Sequence, residues 1–463
     1  MSTKKVLTST RRRRTTKFEG FNFTRAMVTA GDGSGVLADY RARAWETFEN
    51  IPYPTMKDEP WRRTDIRGLK DDFTLPNPGA YEDLPAVPER LLKPLVSDQH
   101  GGQIVLLPGG LQTDLNPELA KKGVIFTDLE TAAQQHPKEL SQALGQIVKP
   151  DEGKFAALAS SLSPNGVFVY VPKDVHVEQP LHSVMWAAGA GLAHFSHLLI
   201  WLEDGASLTF VHEAASPNGA PVADPPAASP PLALASAGQT LHGGVVEIYV
   251  GAGANLCFVE LQSLGDNVWN FTHERARVER DGNIDWIFGA IGTRLTKNFS
   301  ALDLVGQGAN GRMSGFYFTD GSQHLDHDTQ QNHLAPHTTS DLLFKGALKG
   351  NSRSVWQGMI YVAPGAQQTD GYQANRNLVL SDQARADSIP GLEILADDVR
   401  CTHGATVGKV DPELVFYLRS RGIPTEQAER LIVDGFFDPI MQRIPFDGVR
   451  EHFHQAIQEK MGA

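Results

Sequence analysis

The stretch Asp204-Gly205-Ala206-Ser207-Leu208-Thr209-Phe210-Val211 places a Gly-containing turn directly before a short run of β-forming residues. The same phrase returns at Ala252-Gly253-Ala254-Asn255-Leu256-Cys257-Phe258-Val259 and at Asp281-Gly282-Asn283-Ile284-Asp285-Trp286-Ile287, and two more copies begin at Gln307-Gly308 and Lys349-Gly350. A unit of strand and turn cannot bury its apolar residues alone, whereas stacked units cover one another. The repeat therefore predicts a solenoid of stacked β coils, with a period in the twenties once insertions are allowed for.

An ordinary β-sandwich is the alternative fold for this region. A sandwich would need hairpin-type turns about every 8 to 12 residues. Within the repeat only Asn310-Gly311 and Asp320-Gly321 have that spacing, so the pattern favours the solenoid. A Pro/Ala-rich insertion over residues 214–239, which holds six prolines, interrupts the repeat and is predicted to be a solvated loop.

The chain of 463 residues is long enough for several domains. The predicted organisation is a disordered basic tail over 1–34, a helical or mixed region over 35–155, a mostly β core over 156–405 and a helical region over 406–463. In the second region, Leu37, Tyr40, Ala44 and Phe48 share one face at helical spacing.

Three helices are predicted near the C-terminus. Asp411 can cap the first, Pro412 suits its first position and Gly422 can close it. The second is predicted from Pro424 to Asp434, with Ala428, Leu431 and Ile432 inward and Gly435 after it. The third is predicted near Asp447 to Lys460.

The composition limits the classes of protein to which this chain can belong. Shares of 41% hydrophobic and 21% charged residues are typical of a soluble globular chain, and a net charge of −12 argues against a nucleic-acid partner. No apolar stretch approaches the ~20 residues of a membrane helix. Two cysteines give no disulfide framework, so a cytoplasmic location is expected. Organellar import by residues 1–17, which contain the basic run Arg11 to Arg14, is the alternative.

The strongest chemical signal is Cys401-Thr402-His403-Gly404-Ala405-Thr406-Val407-Gly408. A thiolate and an imidazole are donors that iron or an iron–sulfur cluster accepts. In an extended strand Cys401 and His403 would share one face. Two ligands cannot complete such a site, and a Cys-x-His pair alone is more often a buried thiol beside a hydrogen-bonded histidine. The other cysteine, Cys257, is predicted to be a core thiol, with a sulfur relay as the alternative.

A second hypothesis is a stand-alone metalloenzyme on a β scaffold. It would use His324, His327, His333 and His337, with Asp326 and Asp328 among them. In a β coil, however, successive residues point to opposite faces, and His324 and His327 differ by an odd number. The two rings would then not readily converge.

Several phrases together resemble the SufB/SufD family of iron–sulfur cluster assembly proteins. They are Glu59-Pro60-Trp61-Arg62-Arg63-Thr64, His333-x3-His337-Thr338-Thr339-Ser340, Lys345-Gly346-x2-Lys349, Gln373-Ala374-Asn375-Arg376-Asn377-Leu378, Pro390-x-Leu392-Glu393-Ile394 and the run from Cys401 to Ile423. The resemblance implies a right-handed parallel β-helix flanked by N-terminal and C-terminal helical domains, in agreement with the repeat.

Two positions resemble the SufD branch of that family. SufB-like chains carry a cysteine where this chain has Ala374 and a carboxylate where it has Gly404. The resemblance implies a non-catalytic scaffold that pairs with a SufB-like paralogue, docks a SufC-like ATPase and depends indirectly on a cysteine desulfurase.

The resemblance also implies where the partners and the cluster bind. His403, with Cys401 beside it, would contact a transient iron–sulfur cluster at the boundary with the SufB-like chain, and His403 is the candidate iron ligand. No cofactor is expected to stay bound to the isolated chain. The predicted ATPase contact is formed by Phe416, Tyr417, Leu418, Arg419, Arg421 and Gly422, with simple capping of the last coil as the alternative role of these helices.

Overall fold

The computed structural model describes residues 18–28, 35–93, 101–217, 238–444 and 446–461. The strands are, in chain order, β1 (Gly102–Leu107), β2 (Gly110–Leu115), β3 (Ile125–Asp128), β4 (Val167–Val171), β5 (Leu181–Trp186), β6 (Ala193–Leu202), β7 (Ser207–Ala215), β8 (Thr240–Val250), β9 (Asn255–Ser263), β10 (Val268–Val278), β11 (Asn283–Ile291), β12 (Leu295–Leu304), β13 (Asn310–Thr319), β14 (His324–His333), β15 (Thr339–Leu348), β16 (Arg353–Val362), β17 (Asp370–Val379), β18 (Arg385–Ile394) and β19 (Arg400–Lys409). The α-helices are α1 (Val36–Asn50), α2 (Glu89–Leu92), α3 (Pro117–Lys121), α4 (Leu129–Gln135), α5 (Pro137–Ala143), α6 (Lys154–Leu162), α7 (Pro412–Ser420), α8 (Thr425–Met441) and α9 (Asp447–Met461).

The strands form two sheets that alternate along the chain. One sheet has the order β19-β17-β15-β13-β11-β9-β7-β5-β1-β2, and the other has the order β18-β16-β14-β12-β10-β8-β6-β4-β3. Every neighbouring pair is parallel except β1 with β2 and β3 with β4. Each coil thus adds one strand to each sheet, from β4 and β5 to β18 and β19. The solenoid prediction is confirmed, and the sandwich is not the fold.

The predicted period in the twenties is correct for three of the five intervals between strands β9 and β19, and the last two intervals are slightly longer. From β9 to β19, the strands of the first sheet begin 27 to 31 residues apart. Each of these coils carries two strands of nine to eleven residues and two turns, and so leaves little room for a shorter repeat.

One corner of each coil explains the repeated glycine. Two residues before a strand of the first sheet, the backbone adopts a positive φ, which is 68° at Gly205, 66° at Gly253 and 75° at Gly308. Glycine meets no Cβ clash in this left-handed conformation. In other coils the corner residue is Asp281 or His337, with φ of 56° and 58°. The glycine phrase therefore marks a backbone corner, and side chains that tolerate the corner can replace it.

Apolar side chains stack in register inside the coils. Phe210 is paired with Phe258, which is paired with Trp286, and their ring centroids lie 6.3 and 5.5 Å apart. Polar side chains also fill the interior between the two sheets. His212 and His333 are examples, and both are buried.

Helices cover the outer faces of both sheets. α6, which is buried along its whole length, packs with α1 on the second sheet. α8 and α9 pack on the first sheet through residues such as Phe437 and Ile457. Among the described residues, no helix is long and apolar enough to cross a membrane.

The predicted buried face of α1 and the predicted caps of α7 are confirmed, whereas the predicted end of α8 is not. Leu37, Tyr40, Ala44 and Phe48 are all buried in α1. In α7 the Asp411 side chain accepts a hydrogen bond from the Glu413 N–H, and Gly422 follows with φ of 87°.

The second C-terminal helix was predicted to end before Gly435, which is wrong. α8 continues to Met441 through Gly435 and Pro439. Val433 and Phe437 pack on the sheet, and this burial outweighs the helix-breaking residues. Leu431, which was predicted to face inward, is 47% exposed.

The predicted tail and insertion lie partly outside the described residues. Residues 1–17 and 29–34 of the tail are outside, whereas Phe23 is buried, with its ring 5.8 Å from that of Phe195. The predicted insertion was too wide, because Ala214 and Ala215 are buried residues of β7. At its other end Gln239 is buried and accepts a hydrogen bond from Lys70 N at 2.9 Å. Residues 218–237 of the insertion are outside the described residues.

A buried carboxylate joins the N-terminal region to the solenoid. Glu247 on β8 is fully buried and accepts hydrogen bonds from the backbone N–H groups of Gly145, Ile147 and Val148 at 2.8, 2.8 and 3.1 Å. Its Oε1 also lies 2.8 Å from His197 Nε2. One side chain therefore satisfies the donors of a whole turn.

We expect Glu247→Ala to lower the free energy of unfolding by about 3 kcal/mol, because it leaves buried donors without a partner. Denaturant titration followed by circular dichroism measures the change. The exposed Glu459→Ala is the matched control and should stay within about 0.5 kcal/mol of the wild type. Equal stability of the two variants would show that the turn does not depend on Glu247.

Candidate functional site

The last coil leaves the solenoid open at one end. β18 and β19 are the final strands of their sheets, and within the described ranges no strand pairs with their free edges. Neither strand contains a fully buried residue. Leu392, Ile394, Leu395 and Val407 are exposed there, by 36 to 51%. An unpaired edge with exposed apolar side chains is a surface that another chain can cover.

Cys401 and His403 lie on this open strand. The register of β19 sets Cys401 beside Gly371 and His403 beside Gln373 of β17. Gln373 is buried in the lumen, the interior between the two sheets, so Cys401 and His403 belong to the lumen side of the last coil. Cys401 is half-buried and His403 is exposed. Burial raises the pKa of the Cys401 thiol, although a backbone hydrogen bond from Gly371 opposes that shift.

The lumen below this pair is polar. Gln373 crosses between the sheets, and its Nε2 donates to the carbonyl oxygens of Gly391 at 2.9 Å and Gly358 at 3.4 Å. One coil further in, His333 Nδ1 lies 2.8 Å from Thr338 Oγ1 and its Nε2 lies 2.8 Å from Ser340 Oγ. Hydrogen-bonding side chains thus line the lumen from the open end inward.

Gly371 brings a second histidine close to Cys401, which the sequence reasoning missed. A Cβ at Gly371 would stand 3.3 Å from both Cys401 Sγ and His333 Nε2. A methyl group at this position would press on both the thiol and the ring, and glycine leaves the space between them open. The available signal was the glycine inside the strand pattern Asp370-Gly371-Tyr372-Gln373, since such a glycine often marks a close approach.

The four histidines of the metalloenzyme hypothesis do not form one site. His324 faces outward, with Nε2 3.2 Å from Thr64 Oγ1, whereas His327 lies inside among Phe288 and Tyr317. His333 is bonded in the lumen as described, and His337 is an exposed corner residue. Within the described part of the chain, no three His, Cys, Asp or Glu side chains are placed to hold a metal ion.

The two aspartates near these histidines belong to a structural clamp. Lys297 is fully buried, and its Nζ lies 3.0 Å from Asp326 Oδ1 and 3.1 Å from Asp328 Oδ2. Thr64 donates a hydrogen bond to Asp326. Burial raises the pKa of Asp328 to about 6, although Lys297 opposes that shift. Trp61, from the same N-terminal phrase as Thr64, packs on Phe155. The phrase from Glu59 to Thr64 therefore docks the N-terminal segment on the solenoid.

The other cysteine lies at the margin of an apolar cluster on the outer face of the first sheet. Cys257 on β9 is half-buried beside Asp285 and Arg312 in an outer groove. Burial raises its pKa to about 12, so the nucleophilic thiolate is scarce at neutral pH.

α7 is an exposed helix on the surface of the protein. None of its residues is buried, and Leu414, Phe416 and Tyr417 are 50, 73 and 54% exposed. The Arg421 guanidinium lies 5.0 Å from the centre of the Tyr417 ring. α7 packs on α8, which covers the outer face of the first sheet and not the end of the solenoid.

The six predicted ATPase contacts divide into two groups. Phe416, Tyr417 and Arg419 are exposed on α7, and Arg421 is exposed just after it. Leu418 is half-buried and its carbonyl accepts from Arg421 N and Ile423 N, while Gly422 adopts the left-handed turn. Leu418 and Gly422 therefore shape the end of the helix.

The chain is similar to known proteins along most of its length. Residues 185–436 match the family model described as SUF system FeS cluster assembly, SufBD core domain, and residues 14–182 match the SufBD protein N-terminal region. The iron–sulfur cluster assembly protein SufD of Bacillus subtilis is 33% identical over 349 residues, which cover 75% of this chain and 76% of that protein. The SufB protein of the same organism is 28% identical over 433 residues, covering 89% and 86%. An iron–sulfur cluster assembly SufBD family protein of Staphylococcus epidermidis is 29% identical over 430 residues, covering 89% and 86%.

Proposed function

Because this chain belongs to the SufBD family of iron–sulfur cluster assembly proteins, we propose that it is the SufD-like scaffold subunit of a SUF assembly complex. The observation that carries the proposal is the placement of Cys401 and His403 on the unpaired last strand of the solenoid. In this role the chain catalyses no reaction itself and supplies a surface on which partners act.

The two positions that resemble the SufD branch are neighbours in space. Ala374 of β17 is the register partner of Gly404 of β19. SufB-like chains would place a cysteine and a carboxylate side by side there, whereas this chain has two small residues. A Cβ at Gly404 would meet nothing within 4 Å, so the outer face of β19, opposite the face that carries His403, is open at this position. This open surface supports a role in which the partner brings the larger, reactive side chains.

Pairing with a SufB-like paralogue is the second part of the proposal. The free edges of β18 and β19 can accept strands of a similar solenoid, and Val407 and Leu395 add exposed apolar surface, each 51% exposed. A paralogue with the same coil geometry would continue both sheets. Cys401 and His403 would then lie at the boundary between the two chains.

A transient iron–sulfur cluster at that boundary is the third part. This chain offers one thiol and one imidazole at its open end, and clusters are usually held by a larger set of thiolates. The proposal assigns the remaining ligands to the paralogue, which explains why the isolated chain would keep no cluster. The sulfur would come from a cysteine desulfurase system, and the ATPase would drive the cycle from its place on α7.

We expect Val407→Asp to weaken pairing with the SufB-like paralogue by about tenfold, because it puts a charge into an apolar contact beside the free edge. Co-expression of the two chains followed by size-exclusion chromatography measures the paired fraction. Leu115→Asp is the matched control, because Leu115 is 40% exposed at the opposite end of the first sheet. If Leu115→Asp weakened pairing and Val407→Asp did not, the contact would lie at the other end.

A further inference from the structure

Two glutamates meet inside the middle of the solenoid, between the two sheets. Glu260 on β9 is 7% exposed and Glu274 on β10 is 2% exposed, and both line one small cavity, where their carboxyl groups lie within hydrogen-bonding reach of each other. Ionised carboxylates only accept hydrogen bonds. A bond between these two groups therefore requires one proton.

The neighbouring donors show which glutamate holds the proton. Glu274 accepts from Asn298 Nδ2 at 2.6 Å and from Ser300 Oγ at 2.9 Å. Among the described residues, Glu260 accepts one longer bond, 3.3 Å, from Trp286 Nε1. Glu274 is thus the better stabilised carboxylate, and Glu260 is the protonated partner that donates to it.

Among the described residues, the groups that line the cavity beside this pair carry no positive charge that could replace the proton. A cavity of about 20 Å³ lies beside the pair, lined mostly by polar residues from β6 to β12. His212 of β7 and His242 of β8 are the other titratable groups that line it, and burial lowers their pKa to about 3 and about 4. Both rings are therefore neutral at physiological pH. The lining from β6, β11 and β12 consists of Ser196, Phe288 and Asn298.

One acceptor on the cavity wall has no partner. Gln262 is 4% exposed, and its Oε1 makes no hydrogen bond among the described residues, while its Nε2 donates to Thr296. The cavity has room for one water molecule or one ion. Its wall thus presents one unpaired acceptor and two carboxyl groups, a combination that attracts a proton or a cation and not an anion.

We propose that Glu260 and Glu274 form a binding site for a single proton, which ties the two sheets together in the middle coils. The inference is independent of the proposed assembly role. Because β9 belongs to the first sheet and β10 to the second, the shared proton is a bond across the lumen. Loss of the proton would set two negative charges against each other in a buried space.

The direction of the pH dependence follows from the pKa of the pair. Burial, followed by repulsion from Glu274, raises the pKa of Glu260 well above the ordinary value of 4.5. The stabilisation is therefore fully present below about pH 4.5 and is lost as the pH rises through the folded-state pKa. Wild-type protein should be weakened by alkaline pH at this position.

The test compares Glu260→Gln with the wild type across pH. A glutamine amide donates to Glu274 without a titrating proton, so the contact survives at every pH. The melting temperature of E260Q should exceed that of the wild type by about 3 °C at pH 9, and the difference should vanish near pH 5. The exposed Glu459→Gln is the matched control and should follow the wild type.

A pH-independent difference between E260Q and the wild type would overturn the proposal. So would a rise in melting temperature on adding Mn²⁺ at pH 9 in the wild type but not in E260Q, because a metal ion would then be the ligand. If E260Q does not fold, hydrogen exchange of the wild type decides. Exchange in β9 and β10, corrected for the intrinsic rate, should rise more between pH 6 and pH 9 than in β4, and an equal rise would contradict the shared proton.

Discussion

Replacing Phe416 and Tyr417 together by Ala should weaken binding of a SufC-like ATPase by about 100-fold, which corresponds to about 2.7 kcal/mol. Both side chains are more than half exposed on a helix that buries none of its residues. A few side chains carry most of the binding energy at a protein interface, and large aromatic residues are enriched among them. Calorimetric titration of the purified chain with the ATPase measures the change.

Point variants test α7 better than truncation does. Removing the chain after Asp411 would also remove α8 and α9, and would uncover apolar residues of the first sheet such as Phe316 and Ile287. The loss of binding could then result from unfolding. Leu431→Ala is the matched control, since Leu431 is a 47% exposed apolar residue on α8. Unchanged affinity in the α7 double variant would reject α7 as the docking site.

Replacing His403 by Ala should leave the three-component complex intact but lower the cluster retained after anaerobic reconstitution by roughly tenfold. His403 is exposed at the open end, so its removal disturbs no packing. A neutral imidazole can bind iron, and a protonated one can donate to sulfide. Iron and sulfide analysis after size-exclusion chromatography measures the yield.

Thr402→Ala is the control for this experiment. Thr402 is also exposed on β19, but it points to the opposite face of the strand from His403. Its variant should retain the wild-type amount of cluster. A complex that dissociates in the His403 variant would assign the residue a structural role, and an unchanged yield would remove it from the site.

The fold could be predicted from the sequence because every coil repeats the same backbone corner. Each coil needs one left-handed corner, and Gly205, Gly253 and Gly308 reveal it directly. Asp281 and His337 fill the same corner without glycine, so the period could be read only approximately. The alternation of side chains along a β-strand also correctly predicted that His324 and His327 point to opposite faces. His324 faces outward and His327 faces the lumen.

Features that depend on tertiary packing could not be predicted. Gly435 and Pro439 usually end helices, but contacts of Val433 and Phe437 with the sheet extend α8 past them. The approach of His333 to Cys401 depends on Gly371, which lies in a different coil from either residue. The meeting of Glu260 and Glu274 across the lumen likewise needs the relative position of two sheets.

The central claim is that a cluster forms between the open end of this chain and a SufB-like paralogue. Electron spin-echo envelope modulation tests it most directly, on a reduced, reconstituted complex in which only this chain carries ¹⁵N. The account predicts a ¹⁵N coupling from a histidine of this chain, and the coupling should disappear in His403→Ala. A paramagnetic cluster in an intact complex that shows no ¹⁵N coupling from this chain would contradict the account.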